Sequence, residues 1–235
     1  MNAEKRANLH LKFLSEVVPL ESGLGASLAN AVKFRCILTD ESDRGCALMA
    51  AAHLDDLVFQ LIRAKLLDDK KIAKTMLSGD GPISAFSARI DLAFLLGLIT
   101  PDARRELHIL RKIRNIFAHD PDNFGFEKEE IKSRCDELKY VTVQGDSGPR
   151  EKFTNAMMGI AGHILITISD IEQIRPLENI DLIAHKERCK SFTKKHEENI
   201  LVELPKVDIK ERMERINAIF QELVRRIKPV EKDDT

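Results

Sequence analysis

The sequence predicts an all-α helical bundle, and three observations carry that expectation. Apolar residues recur at steps of three and four through most of the chain, the period of an amphipathic helix. Caps and stops such as Thr100-Pro101-Asp102 and Asp120-Pro121 bracket those runs, as helix ends require. Strand-like alternation is confined to residues 139–144, KYVTVQ, which supports at most a short hairpin arm or extended turn. At 235 residues, 43% of them hydrophobic, the chain can bury a sizeable core. With eleven Phe, one Tyr and no Trp, that core is aliphatic with phenylalanine as its bulk.

Residues 3–18 read as a helix with Leu9, Phe13, Leu14 and Val17 on one side, ended by Pro19. Gly23 and Gly25 read as a break before a weaker helix over 26–37. A strong element runs from Glu41-Ser42-Asp43-Arg44 to about Leu67, with Leu48, Ala51, Ala52, Val58, Phe59, Ile62 and Leu66 as its stripe. Asp55 falls within that stripe, a heptad after Leu48. A short charged helix over 68–77 and a turn cluster over 78–82 follow; no GK[ST] comes after the turn's glycines, so it reads as a connection rather than a phosphate loop. Ser84 or Ser87 then caps a helix reaching Gly97, apolar nearly all round except Arg89 and Asp91 and therefore expected at the centre of the bundle.

The run Ala103 to Asp120, ARRELHILRKIRNIFAHD, is the element around which the rest is organised. Ala103, Leu107, Leu110, Ile113 and Phe117 form its stripe, and Arg114, a heptad after Leu107, points within it. A guanidinium there is costly unless paired. His108, Arg111, Asn115 and His119 lie along one edge as a polar seam. Two readings stand: a buried structural arginine with its hydrogen-bond partners, or a site for phosphate or RNA. If the two strong helices pack, Asp55 and Arg114 can form one charge-assisted pair, with Arg89 a third member of the polar network.

Beyond Pro121 the pattern gives a helix over 127–138 and a long apolar helix over 153–174, with Gly159 and Gly162 permitting close packing and His163 a core histidine. After Pro176 the composition turns polar and mixed in charge, so residues 178–200 read as a solvated helical face. Pro205 breaks it. Residues 206–228 then form an amphipathic helix with Ile209, Met213, Ile216, Ile219, Phe220, Leu223 and Ile227, able to cap the core, dimerise or bind a partner. The division that follows is 1–40 for N-terminal helices, 41–176 for the main helical domain and 177–235 for a C-terminal helical extension.

A formal net charge of −1 argues against a generally basic nucleic-acid binder. There is no helix-turn-helix signature, basic heptad region or zinc finger, so direct specific DNA binding is not expected. Cys36, Cys46, Cys135 and Cys189 form no CxxC pair and have no His at metal spacing. His53, Asp55 and Asp56 diverge on a helix, so no metal and no cofactor are expected. Scattered thiols, no signal sequence and apolar runs short of a membrane span give the expectation of a soluble cytoplasmic protein without a membrane role.

Three blocks in order carry a family resemblance: ESDRGCALMAAAHLDDL (41–57), LSGDGPISAFSARIDLAFLLGLI (77–99) and LHILRKIRNIFAHD (107–120). They resemble the bacterial mannitol operon repressor family over roughly residues 41–135, and more weakly to about 175. Residues 178–235 look like an addition to the shorter members. The resemblance implies an all-helical regulator of transcription that lacks a DNA-binding motif and works through another protein, a regulator or an enzyme. A more distant resemblance rests on Arg114-Asn115-Ile116-Phe117-Ala118-His119, which is similar to the Arg-x4-His motif of HEPN domains. It implies a HEPN-like core and, as the alternative function, a metal-independent ribonuclease of a toxin or defence system, often a homodimer. Carried over, Arg114 would hold the scissile phosphate, His119 would serve in acid–base catalysis or phosphate contact, and Asn115 would orient them. A small-ligand sensor using Arg111, Arg114 and His119 of the same seam is a third reading.

Overall fold

Helix starts fall where a hydroxyl or carboxylate can take an amide that the first turn leaves free. Ser22 accepts from Gly25, Ser42 from Gly45, Asp69 from Ile72 and Thr100 from Ala103. The computed structural model describes residues 3–122, 124–140, 147–179, 181–203 and 209–227. In order its helices are α1 (Ala3–Val17), α2 (Gly23–Asp40), α3 (Asp43–Lys65), α4 (Lys70–Leu77), α5 (Phe86–Leu95), α6 (Pro101–His119), α7 (Glu129–Asp136), α8 (Pro149–Asp170), α9 (Leu182–Glu203) and α10 (Ile209–Ile227). No strand occurs among the described residues, and the fold is all-α. Most of the alternating run 139–144, like Pro205, lies outside them.

The chain divides into two compact units, Met1–Pro176 and Leu177–Thr235. In the first, α3 is the central helix, packing on α5, α6 and α8, while α2 joins α1 to α8 and α7 closes against α6 and α8. The core is aliphatic around Leu54, Leu61, Ile90, Leu107, Leu110 and Ile113. A phenylalanine cluster fills one end: Phe117 meets Phe124 and Phe126 at 5.2 and 5.1 Å, and Phe126 meets Phe153 at 5.1 Å. In the second unit, the described side chains of α9 are almost all exposed.

Several expectations are corrected. α1 turns Leu9, Phe13 and Val17 to solvent and buries Ala7 instead, because a small residue allows the close approach to α2. Gly23 and Gly25 lie inside α2, where Ser22 caps and Gly25 sits so tightly on the Pro19 carbonyl that a Cβ would collide with it. The buried face of α3 runs through Ala47, Ala50, Leu54, Leu57, Val58, Leu61 and Ile62, leaving Ala52 exposed and Leu48 and Phe59 at its margins. α5 has no side-chain cap and is not enclosed: it buries Phe86, Ile90 and Ala93 and exposes Leu95. Gly97, at φ 70°, does end it, with Leu98 N–H returning to the Ala93 carbonyl and Gly97 N–H to that of Phe94. A Cβ on Gly162 would meet nothing within 4 Å, so no close packing depends on it, and His163 is half-buried rather than in the core. α3 is long and apolar enough by length and composition to cross a membrane, contrary to the reading of its runs as too short, but its apolar side is spent on the core.

Candidate functional site

α6 is positioned by its two ends and one buried acid. Thr100 and Pro101 start it as the sequence requires, and its inner face is Ala103, Glu106, Leu107, Ile109, Leu110, Ile113 and Phe117. Glu106 is fully buried. Its carboxylate accepts from Lys139 N–H at 2.8 Å and Tyr140 N–H at 2.9 Å, and from Arg105 Nη2 at 3.0 Å. Arg105 Nη1 donates to the Glu137 carbonyl at 3.1 Å, so these two neighbours together hold the chain that leaves α7. Sequence reasoning missed Glu106. The signal was there, since it lies three after Ala103 and four before Leu110, at the middle of the stripe.

The far end of α6 is held by two basic side chains. Arg44 Nη2 donates to the Asp120 and Asp122 carbonyls at 2.7 and 2.9 Å, and Lys128 Nζ donates to Asp120 Oδ2 at 2.6 Å. Chiefly through that bond from Lys128, the Asp120 carboxyl lies below its ordinary pKa. Lys128 also stands 4.1 Å from the centre of the Phe124 ring. Nearby, Asp43 accepts from Phe126 N–H at 3.0 Å and Arg150 Nη1 at 2.6 Å. Arg150 Nη2 in turn donates to the Leu38 and Glu41 carbonyls. Gly125 is required here, because a Cβ would run into the Asp43 carboxylate.

The expected pair of Asp55 with Arg114 is not formed. Asp55 Oδ1 accepts from Arg89 Nη1 at 2.6 Å, with the two side chains 27% and 13% exposed. Arg89 Nη2 also donates to the Leu77 carbonyl at 2.7 Å, and its guanidinium lies over the Phe59 ring at 5.2 Å. Asp55 and Arg89 thus tie α3, α4 and α5 together, and Arg114 stands outside that network. α3 packs against both α5 and α6, and it is the α5 arginine, 13% exposed, that reaches Asp55. Arg114 is half-buried and its Nη1 donates to Asn115 Oδ1 at 3.1 Å.

Along the seam, Arg104 Nη2 pairs with Asp91 Oδ1 at 2.6 Å, and His108 Nε2 lies 3.2 Å from the same oxygen. Burial pushes the Asp91 carboxyl up, but the hydrogen bonds from Arg104 and His108 outweigh it and hold its pKa below the ordinary value. Arg111 is half-buried, and its Nε is buried without a hydrogen-bond partner. Among the described residues neither Arg111 nor Arg114 has a carboxylate partner. His119 is exposed at the helix end. The last turn does not unwind: Asp120 N–H still bonds the Ile116 carbonyl at 3.1 Å. Arg114 and His119 therefore stay about 140° apart around the helix. Near α3, His53 packs on Phe34 with ring centroids 4.5 Å apart, while Asp56 accepts from Gln60 at 2.7 Å, so His53, Asp55 and Asp56 point to three different partners. Cavities of about 480 and 340 Å³ are lined by none of the seam residues, one lying beside Arg35 and Arg150, the other lined by Leu66, Ile72, Met76 and Leu92.

These elements fall inside a stretch with known relatives. The sequence model described as "Mannitol repressor" matches residues 41–158, from the cap of α3 into the middle of α8. The chain belongs to the mannitol repressor family. The mannitol operon repressors of Escherichia coli K12 and Escherichia coli O6:H1 are each 31% identical to it over 87 residues, 37% of this chain. The chain spans 45% of the length of these curated relatives. A solved structure titled as the MtlR–HPr complex from Escherichia coli is similar at a TM-score of 0.49 and 20% identity, covering 61% of this chain and 99% of that one. Within this member of the family, α9 and α10 lie beyond the matched residues.

Proposed function

We propose that the protein is a cytoplasmic transcriptional regulator of the mannitol repressor type that acts by docking on another protein rather than by reading DNA. The observation that carries this is the pair of half-buried arginines on α6, Arg111 and Arg114, neither matched by a carboxylate among the described residues. Lys112 lies between them in sequence, exposed, with Arg104 and Arg105 two turns back. Partly desolvated guanidinium groups bind a carboxylate-bearing surface more strongly than fully solvated ones. The family membership supports a role in gene regulation. The near-neutral overall charge supports a protein surface over a phosphate backbone as the target.

A direct test uses the full chain as bait in a cytoplasmic extract, wild type beside the Arg111→Glu/Arg114→Glu double variant, both checked for helicity. Capture of a defined partner by wild type and its loss in the variant is the expected result. Equal capture by both would remove α6 from the interface. A mobility shift on the cognate operator that survives excess competitor DNA at physiological salt would overturn the reading altogether.

A second reading, the metal-independent ribonuclease, takes support from the same freedom of Arg114. Against it stands the regular last turn of α6, which leaves His119 on a different side of the helix from Arg114 within one chain. The small-ligand sensor has less support, because Arg111, Arg114 and His119 line neither of the two cavities described above.

A further inference from the structure

We propose that the cavity between α4 and the helices α3 and α5 binds a free medium-chain carboxylate, its alkyl tail inside and its head held at the mouth by Arg63. None of the described lining residues belongs to α6, so this site stands apart from the docking face.

The tail follows from the wall. Leu66, Ile83 and Leu92 line the cavity and pack against the core, while Ile72 and Met76, 61% and 39% exposed, form its lip. A space of about 340 Å³ is of ligand size. Water finds few hydrogen bonds against such a wall and is readily displaced. A methylene is close in size to a water, whose share of liquid is about 30 Å³, so the cavity takes an alkyl chain of roughly ten carbons.

The head group follows from the two charged residues in that wall, Arg63 and Asp69. Asp69 Oδ1 already accepts from Ile72 N–H at 2.8 Å as the cap of α4. Arg63 has donors to spare: its Nη1 is buried without a hydrogen-bond partner, and its Nη2 reaches Asp68 Oδ1 only at 3.3 Å. The site lacks an acceptor, not a donor. Asp68 is 64% exposed, and so open a pair is weak. A ligand carboxylate can therefore take the place of Asp68 as Arg63 turns towards the mouth. Residues 63–74 carry five basic side chains against two acids, which favours an anionic acceptor over a neutral one.

Isothermal titration of the full chain with decanoate tests this, beside shorter acids and decyltrimethylammonium. Wild type is expected to bind decanoate, with affinity rising about fourfold per methylene from hexanoate upwards. The cationic ligand is expected to bind about tenfold more weakly, and Arg63→Gln to weaken decanoate by about the same factor. Asp68→Asn, which removes the competing carboxylate, is expected to tighten decanoate binding. Met76→Glu, with unchanged helicity, is expected to lose it. Equal binding of the cationic ligand, or decanoate binding that Arg63→Gln leaves unchanged, overturns the carboxylate head. Met76→Glu that binds like wild type overturns the placing of the tail, and Asp68→Asn that gains nothing overturns the exchange at Arg63. Wild type that ignores decanoate overturns the proposal and leaves the cavity to apolar side chains of a partner.

Discussion

Replacing Glu106 by alanine removes one carboxylate and strands three donors at once. The Lys139 and Tyr140 amides lose the acceptor that holds them at 2.8 and 2.9 Å, and Arg105 loses a partner at 3.0 Å. Hydrogen bonds to a charged acceptor are worth about 1.5–3 kcal/mol each. The Arg105 side chain is 39% exposed, and a pair so open to solvent contributes little. Solvent also reaches the exposed Lys139 and recovers part of its amide's loss. The expected cost of Glu106→Ala is therefore about 3–4 kcal/mol, with Glu106→Gln, which keeps one oxygen acceptor, losing roughly half of that. Tyr140 is the chain's one tyrosine and there is no tryptophan, so intrinsic emission reports from the very segment that Glu106 holds. Urea unfolding followed by that emission and by far-UV circular dichroism separates release of the segment from loss of the helices. A loss below about 0.5 kcal/mol by both signals, the size of a surface change, would refute the anchoring role.

Three further outcomes are expected. Asp55→Ala and Arg89→Ala should each cost about 1–3 kcal/mol and be strongly non-additive; Arg114→Ala should cost under about 0.5 kcal/mol and add simply to Asp55→Ala. A double-mutant cycle by urea denaturation that couples Asp55 to Arg114 instead would reverse this assignment. Burial holds the His53 pKa below the ordinary histidine value, so the unfolded chain binds that proton more readily and the contribution to stability is lost as pH falls through the ordinary histidine range. His53→Phe, which keeps the packing on Phe34, should flatten that part of the stability profile, and an unchanged slope would contradict it. Wild-type protein in chelator should leave single-stranded and structured RNA intact; cleavage that disappears in a folded His119→Ala variant would establish the nuclease.

What was legible in the sequence was what local spacing controls. The cap, the apolar stripe and the stop of α6 could be read because each depends on residues within a few positions of one another. The phase of α1 could not, because its contact is made by Ala7, and a small residue gives a weaker signal than the exposed Leu9 and Phe13. The glycines of α2 misled for a related reason: their tolerance of a close carbonyl looks the same in sequence as a break. Asp55 was correctly marked as a charge needing a partner, but the choice between Arg89 and Arg114 depends on how three helices pack. Arg150 with Asp43, separated by 107 residues, leaves no local pattern at all. Glu106 was within reach of spacing alone.

The displaced pairing changes how the Arg-x4-His motif weighs. Had Arg114 been spent on Asp55, the motif would have been an internal strut, and neither RNA nor a partner could have used it. The structure gives Asp55 to Arg89 and leaves Arg114 with Asn115, at the edge of a cationic face. That removes one argument against the nuclease. The helix supplies a stronger one: Phe117, between Arg114 and His119, is locked into the phenylalanine cluster, and Arg44 and Lys128 fasten the chain just beyond His119. Bringing His119 round to Arg114 within one chain would mean unwinding a turn whose side chain and carbonyls are both committed. Binding needs no such convergence, since a partner surface can meet Arg111 and Arg114 where they already stand. The same residues that make chemistry difficult keep this face rigid, and that is why we prefer the regulator reading to the enzyme.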